Sequence, residues 1–385
     1  MDFQDKEEAL SLLRDFVGVN TSNPPGYELK VALLIQQYLS GSKAEVQIVP
    51  CGDGRASLVA KISGVGKKRP IILSGHMDTV PFGNLENWKS KPDELFIDGN
   101  RAYGRGTADM KSGLAAMVYA FKKAALQAEL PQGDIYLAAT ADEESGGIGA
   151  ETICNLLPLK EGIVYISEPT NNGIGIKAKG TLWVTLEIQG KTAHGAYPER
   201  GINAIDIAWL MYQDIKSYLN SFEDSLLGFS TCTATGISGG VKTNMVADTC
   251  QLTVDIRTIP RKSANEECIQ FIKALVYKYM TKFDGLIVNY KILNNRQAVL
   301  VSEFENGVTE LISIMESVSG ENPAKKGIKF FSDASIFVKQ EPDAVCILFG
   351  PGNEKCAHIP NEYVELDKYF TSVVCYNKLL HRYWE

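Results

Sequence analysis

Pro70-Ile71-Ile72-Leu73-Ser74-Gly75-His76-Met77-Asp78 is the stretch on which the fold turns, a short apolar run ending in an imidazole and a carboxylate. It reads as a core strand, and the pattern recurs three times. Asp134-Ile135-Tyr136-Leu137-Ala138-Ala139-Thr140-Ala141 runs into Asp142-Glu143-Glu144, and Gly162-Ile163-Val164-Tyr165-Ile166-Ser167 runs into Glu168. Ala344-Val345-Cys346-Ile347-Leu348-Phe349 runs into Gly350-Pro351-Gly352, with His358 a few residues on. In open α/β sheets, ligands bind outside the carboxyl ends of the strands. Four runs that each deliver an acid or an imidazole at that edge therefore point to one site. Asp109 follows the Gly104-Arg105-Gly106 loop and directly precedes a helical pattern at 111–127, which makes it a further candidate.

Outward from these runs, the first half alternates helical and strand patterns, as α/β architecture requires. Helical periodicity covers 5–18 and 28–40, with Asn23-Pro24-Pro25-Gly26 between them. Strands are predicted at 44–49, 56–62, 70–75, 134–140, 163–167 and 344–349, and a last helix at 366–383. The segment 177–293 reads differently: strand 181–189, helix 202–221, strands 230–238 and 247–257, helix 263–280, strand 286–293. That β-α-β-β-α-β order is the ferredoxin-like arrangement. The expected fold is thus α/β, a mixed-sheet catalytic domain built from 1–176 and 294–385. Into it is inserted an α+β domain, 177–293, placed to act as a hinged lid.

The length of 385 residues agrees with two domains. Hydrophobic content of 45% and charged content of 22% are those of a soluble globular protein. A formal charge of −7 argues against nucleic acid or an anionic membrane as partner. No apolar run approaches the roughly 20 residues that span a bilayer. The acidic start Met1-Asp2-Phe3-Gln4-Asp5 is unlike a signal peptide. The eight cysteines form no CxxC pair and read as free thiols in a reducing cytoplasm.

Each candidate has a plain alternative. Asp109 could cap its helix, and Glu143 with Glu144 could be a solvated turn. Yet only four histidines exist, and two follow strands beside these acids. Two histidines and three carboxylates serve two metals if one carboxylate bridges. Each ion then has one imidazole and one terminal carboxylate. Nitrogen and oxygen ligands without thiolates suit Zn²⁺, with Co²⁺ or Mn²⁺ as substitutes. Asp78 points to the same face as His76 and is placed to accept its other ring N–H. Glu143 is left as the carboxylate without a necessary metal role. Beside a bridging water it would take the proton and return it to the leaving amine.

Ser74-Gly75-His76-Met77-Asp78-Thr79-Val80-Pro81, Gly104 to Gly113, Asp142-Glu143-Glu144 and Ser167-Glu168-Pro169-Thr170 together resemble the M20 family of metallopeptidases and deacylases. The branch with acetylornithine deacetylase and succinyl-diaminopimelate desuccinylase looks nearest. The resemblance implies that His76, Asp109 and Glu168 hold one metal, and Asp109, Glu144 and His358 the other. It implies Glu143 as general acid/base, Asp78 as its supporting acid, and a cis peptide after Asp109. In the insert it implies that His194 reaches the substrate carbonyl, often from a neighbouring subunit, and that Asn244 and Arg257 bind substrate. One departure stands out: relatives often carry Gly-Gly-Thr-Asp where this chain has Lys329-Phe330-Phe331-Ser332-Asp333-Ala334. Ser332 and Asp333 are therefore left out of the expected site.

The reading is a hydrolase that cleaves the amide of an N-acyl amino acid bearing a free carboxylate. An exopeptidase for di- or tripeptides is the nearest rival, and a non-catalytic metal-binding scaffold is remote because no ligand or base is missing. A cysteine hydrolase fails for want of a nucleophile-like Cys context. The edges of the insert's sheet would be covered by pairing two lids into a homodimer.

Overall fold

The computed structural model describes residues 1–261 and 263–385. The chain divides into two compact units. The first comprises Met1–Ile176, Val301–Lys326 and Ser332–Glu385; the second comprises Lys177–Leu300 with Gly327–Phe331.

In the first unit the strands lie in the order Glu45–Gly52, Arg55–Ile62, Ile135–Thr140, Ile71–His76, Ile163–Ile166, Val345–Leu348. The last four are mutually parallel, while Arg55–Ile62 runs antiparallel to Ile135–Thr140, so the sheet is mixed. The parallel strands are almost entirely buried, as continuous Ile, Leu, Val and Ala runs demand of strands covered on both faces. Register aligns His76 with Thr140, Ser74 with Ile166 and Leu348 with Ile166. All four carboxyl ends therefore open at one edge.

Helix Lys111–Ala125 packs on Ile71–His76 and is flanked by Phe3–Val17 and Leu366–His381. It is buried for nearly its whole length, so its apolar residues run around the cylinder rather than along one stripe. Gly113 is required by this packing. A Cβ there would sit 2.2 Å from Ser167 Oγ, against the loop that carries Glu168. Gly352 has the same role, since its Cβ would meet the Ala108 carbonyl at 1.9 Å.

The second unit is an antiparallel sheet ordered Thr231–Gly239, Thr249–Thr258, Gly180–Gln189, Ile287–Arg296. Helices Ala204–Leu219 and Ala264–Lys282 cover one face, burying Leu182, Val184, Leu186, Leu252, Val254 and Ile256. The element order is the one expected from the alternation of periods. Among the described residues no helix is long and apolar enough to cross a membrane. All eight cysteines are free.

Candidate metal centre

His76 is the last residue of its strand and 1% exposed. Asp109 lies between the two imidazoles: its Oδ1 is 3.1 Å from His76 Nε2 and its Oδ2 3.3 Å from His358 Nε2. Glu144 Oε1 is 3.1 Å from the same His358 nitrogen. Ligand atoms of His76, Asp109 and Glu144 all fall within 4.8 Å of one another. Glu143 Oε2 lies 4.0 Å from His76 Nε2. Glu168 is buried, and the charge of Asp109 is felt at its carboxyl.

Asp109 does not cap its helix. The N-cap is Met110, with no side-chain hydrogen bond, and the Asp109–Met110 peptide is cis. His358 sits in the left-handed region (φ 64°), which turns its ring toward Glu144.

Electrostatics identify what the cluster lacks. Burial pushes the Glu143 carboxyl well above the usual carboxylate range; His76 opposes this, while Glu168 and Glu144 reinforce it. Burial and Asp109 do the same to Glu168. For Asp109, burial opposes ionisation, but hydrogen bonds with His358 and His76 prevail and hold the group low. The His358 imidazole is pushed up to about 10, first by its hydrogen bond with Asp109 and then by Glu144. Oε1 of Glu143 and Oε1 of Glu168 are buried with no hydrogen-bond partner among the described residues. Such atoms cost free energy unless something pairs with them. Cations would supply the missing charge and the missing partners together. Imidazole nitrogen and carboxylate oxygen without thiolate are the donors that Zn²⁺, Co²⁺ or Mn²⁺ accept. The residues fit such a group.

The sequence model of peptidase family M20/M25/M40 matches residues 72–382. This chain belongs to the M20 family. It is 30% identical over 398 aligned residues to a probable succinyl-diaminopimelate desuccinylase of Staphylococcus aureus, covering 95% of each chain. Its fold is similar to that of the aminopeptidase PepT of Bacillus cereus, with a TM-score of 0.82, 21% identity and 99% of each chain covered. It is likewise similar to a dinuclear metal-binding M20 peptidase of Bacillus subtilis, at TM-score 0.72 and 14% identity over 98% of each chain. The chain is therefore a hydrolytic enzyme of a family in which metal dependence is typical.

One expectation needs correction. Asp78 does not take the His76 ring N–H through its carboxylate. His76 Nδ1 is 2.9 Å from the Asp78 main-chain carbonyl, and the carboxylate is 3.6 Å away. That carboxylate instead accepts the main-chain N–H groups of Glu143 and Glu144, each at 3.1 Å. The Arg257 guanidinium is paired within its own sheet. Its Nε and Nη2 donate to the two oxygens of Asp255 at 2.9 and 3.0 Å, and Nη1 donates to Thr181. Side chains two apart on a strand share a face, and opposite charges there pair.

Within the second unit, His194 and Asn244 are exposed neighbours: His194 bridges Met245, and Gly195 N–H donates to the Asn244 carbonyl. Arg257 lies eight positions beyond Thr249 on Thr249–Thr258, roughly 26 Å from the end that holds Asn244.

Sequence reasoning missed several residues of the centre. Asn23 and Arg55 support the acidic turn, and Glu362 supports the Asp109 loop. Asp333, set aside earlier, is buried and accepts the Thr140 hydroxyl at 2.6 Å beside the His76 strand. The only signal for Asn23 was its place in the Pro-Pro-Gly loop. Glu362 carried none.

Proposed function

We propose that this protein is a two-metal amidohydrolase acting on an N-acyl amino acid, of the deacetylase or desuccinylase kind. The observation that carries the reading is Asp109, whose two oxygens face two imidazoles while a buried Glu143 stands beside them without a role in that chain of contacts. The name of the relative at 30% identity supports a succinylated substrate class.

In this reading His76, Asp109 and Glu168 would hold one ion and Asp109, Glu144 and His358 the other, all from the first compact unit. When bound, two divalent ions polarise the scissile carbonyl and make water a stronger acid. Glu143 takes a proton from the attacking water on its carboxylate and delivers it to the departing nitrogen. Asp78 fixes the turn of Glu143 and Glu144 through their main-chain N–H groups. The main-chain carbonyl of Asp78 accepts from His76 Nδ1, which would leave Nε2 as the nitrogen offered to a metal.

The lid, 177–293, supplies His194 and Asn244 at one end and Arg257 at the other. Ends some 26 Å apart cannot serve one small substrate within a single chain. The reading is therefore a homodimer in which His194 and Asn244 serve the partner's site. The edge strand Thr231–Gly239 carries no charged residue, and Ile205, Trp209, Val241 and Met245 are exposed apolar residues on this unit. A bare, uncharged edge beside exposed apolar side chains is what a second copy would cover.

The test is a panel of N-acetyl-, N-succinyl- and aminoacyl-amino acids with Zn²⁺ or Co²⁺. Turnover of acyl amino acids carries the proposal. Turnover confined to di- and tripeptides replaces it with the exopeptidase reading, and no turnover of either class sinks both.

A further inference from the structure

The acidic turn that carries Glu143 and Glu144 is held by a buried network reaching back to the N-terminal loop. Asp142, the first residue of the turn, has φ 68°, a conformation that costs a non-glycine residue free energy unless its surroundings hold it. Three contacts do so. Arg55 Nη1 donates to Asp142 Oδ1 at 2.8 Å, Asn23 Nδ2 donates to the same oxygen at 3.0 Å, and the Ile148 N–H reaches Oδ2 at 3.3 Å. The Asp142 N–H in turn donates to Glu28 Oε1 at 3.2 Å. Glu28 is fully buried and takes Nε and Nη2 of Arg55 as a fork.

Asn23 closes the circuit. The Nδ2 that meets Asp142 also donates to Asp78 Oδ2 at 2.9 Å, and the Asp78 carboxylate receives the main-chain N–H groups of Glu143 and Glu144. One amide thus joins two carboxylates that would otherwise repel, each gripping the turn from a different side. None of these contacts uses the reacting face of Glu143 or Glu144.

We propose that Asn23 and Arg55 are positioning residues, which set the direction of Glu143 and Glu144 by fixing the turn at Asp142. The inference rests on the reading of Glu143 as base and Glu144 as ligand, and it predicts effects on both. Outer partners of this kind commonly contribute about 10–100-fold in activity or metal affinity.

The experiment compares Asn23→Ala, Arg55→Met and Arg55→Lys, alone and combined with Glu143→Gln. Folding is checked by circular dichroism and melting, metal affinity by chelator competition, and kcat and KM on a substrate of the parent enzyme. Asn23→Ala and Arg55→Met should lower kcat about 10–100-fold with KM within about twofold, and weaken one metal equivalent about tenfold or more. Arg55→Lys should recover part of both losses, because it restores the charge but not the fork. In the Glu143→Gln background the kcat penalty of Asn23→Ala should vanish, since the two act through one group. A full additive penalty there overturns the proposal, as do parent-like kcat and metal affinity in folded Asn23→Ala. If Glu143→Gln alone is fully active, the base reading fails; metal affinity then decides, with weakening in Asn23→Ala supporting positioning and no change overturning it. Should Asn23→Ala fail to fold, the contrast between Arg55→Met and Arg55→Lys carries the same decision.

Discussion

Glu362 accepts the main-chain N–H of Asp109 at 3.0 Å, tying the residue between the two imidazoles to the loop just after His358. The same oxygen takes the Ala108 N–H at 2.8 Å, and the other pairs with Arg105 at 2.6 Å, all of it buried. Removing one partner of such a pair strands the other charge. Glu362→Ala should therefore destabilise the protein by about 3–5 kcal/mol in denaturant titrations. It should also loosen metal binding, because the Asp109 loop loses its anchor. A stability within about 1 kcal/mol of the parent would show that Arg105 finds another partner.

Dialysis against a chelator should abolish activity, and Zn²⁺ or Co²⁺ should restore it. Full turnover by protein shown to be metal-free would remove the basis of the proposed chemistry.

Glu143→Gln and Glu144→Gln should part company. The first should keep both metals and lose about 10²–10⁴-fold in kcat, the range of a lost general base. The second should lose metal occupancy, since its carboxylate faces His358. Metal analysis of the two variants with reversed results would exchange their roles.

Metal uptake should be linked to pH through His358. Hydrogen bonds with Asp109 and Glu144 raise its folded value to about 10, above the ordinary 6.5. At neutral pH the ring is protonated in metal-free protein, and a metal must displace that proton to bind. Affinity should rise with pH, and calorimetry in buffers of different ionisation enthalpy should report proton release. The sign reverses for the metal-free fold. There the charged ring stabilises fully below about 6.5, and that contribution is lost as pH rises through about 10. Uptake without proton release near neutrality would refute the linkage.

Mixing His194→Ala with Glu143→Gln tests the lid. Each variant alone should be nearly inactive with its fold intact. Mixed dimers should regain one working site if His194 serves its partner. No recovery after verified subunit exchange would confine His194 to its own chain, or leave it without a role.

The sheet was legible because its strands are apolar without interruption, and each ends where a polar residue has to leave the core. The insert was legible because its period changes from two to helical and back in a recognisable order. Shorter elements were not. The pairing of Phe96–Asp98, Arg101–Tyr103 and Tyr363–Glu365 joins segments of three residues, too short for any period to show. Helices Ile148–Ile153 and Ala334–Gln340 are also short, whereas Asn306–Ser319, 14 residues long, lies outside the predicted elements for no reason of length. At the candidate centre, residues at strand ends announced themselves, whereas Asn23, Arg55 and Glu362 act from loops and a neighbouring strand through contacts distant in sequence that leave no pattern. Asp78 shows the finer limit. Its side-chain direction was inferred from strand alternation, but the strand ends at His76, and beyond it the backbone turns a carbonyl to the ring instead.

His358 and Glu144 meet although 214 residues of chain separate them, and His76 meets Asp109 across 33. Unfolded, these groups have no reason to be near one another, so an ion that needs them together binds the native chain alone. On the proposed two-metal reading, melting temperature would cease to be a constant of the sequence and become a reading of free metal in the buffer. At a thousand times the dissociation constant, each ion adds about 4.1 kcal/mol. Two laboratories using different buffers would report different stabilities for the same protein, and both would be right.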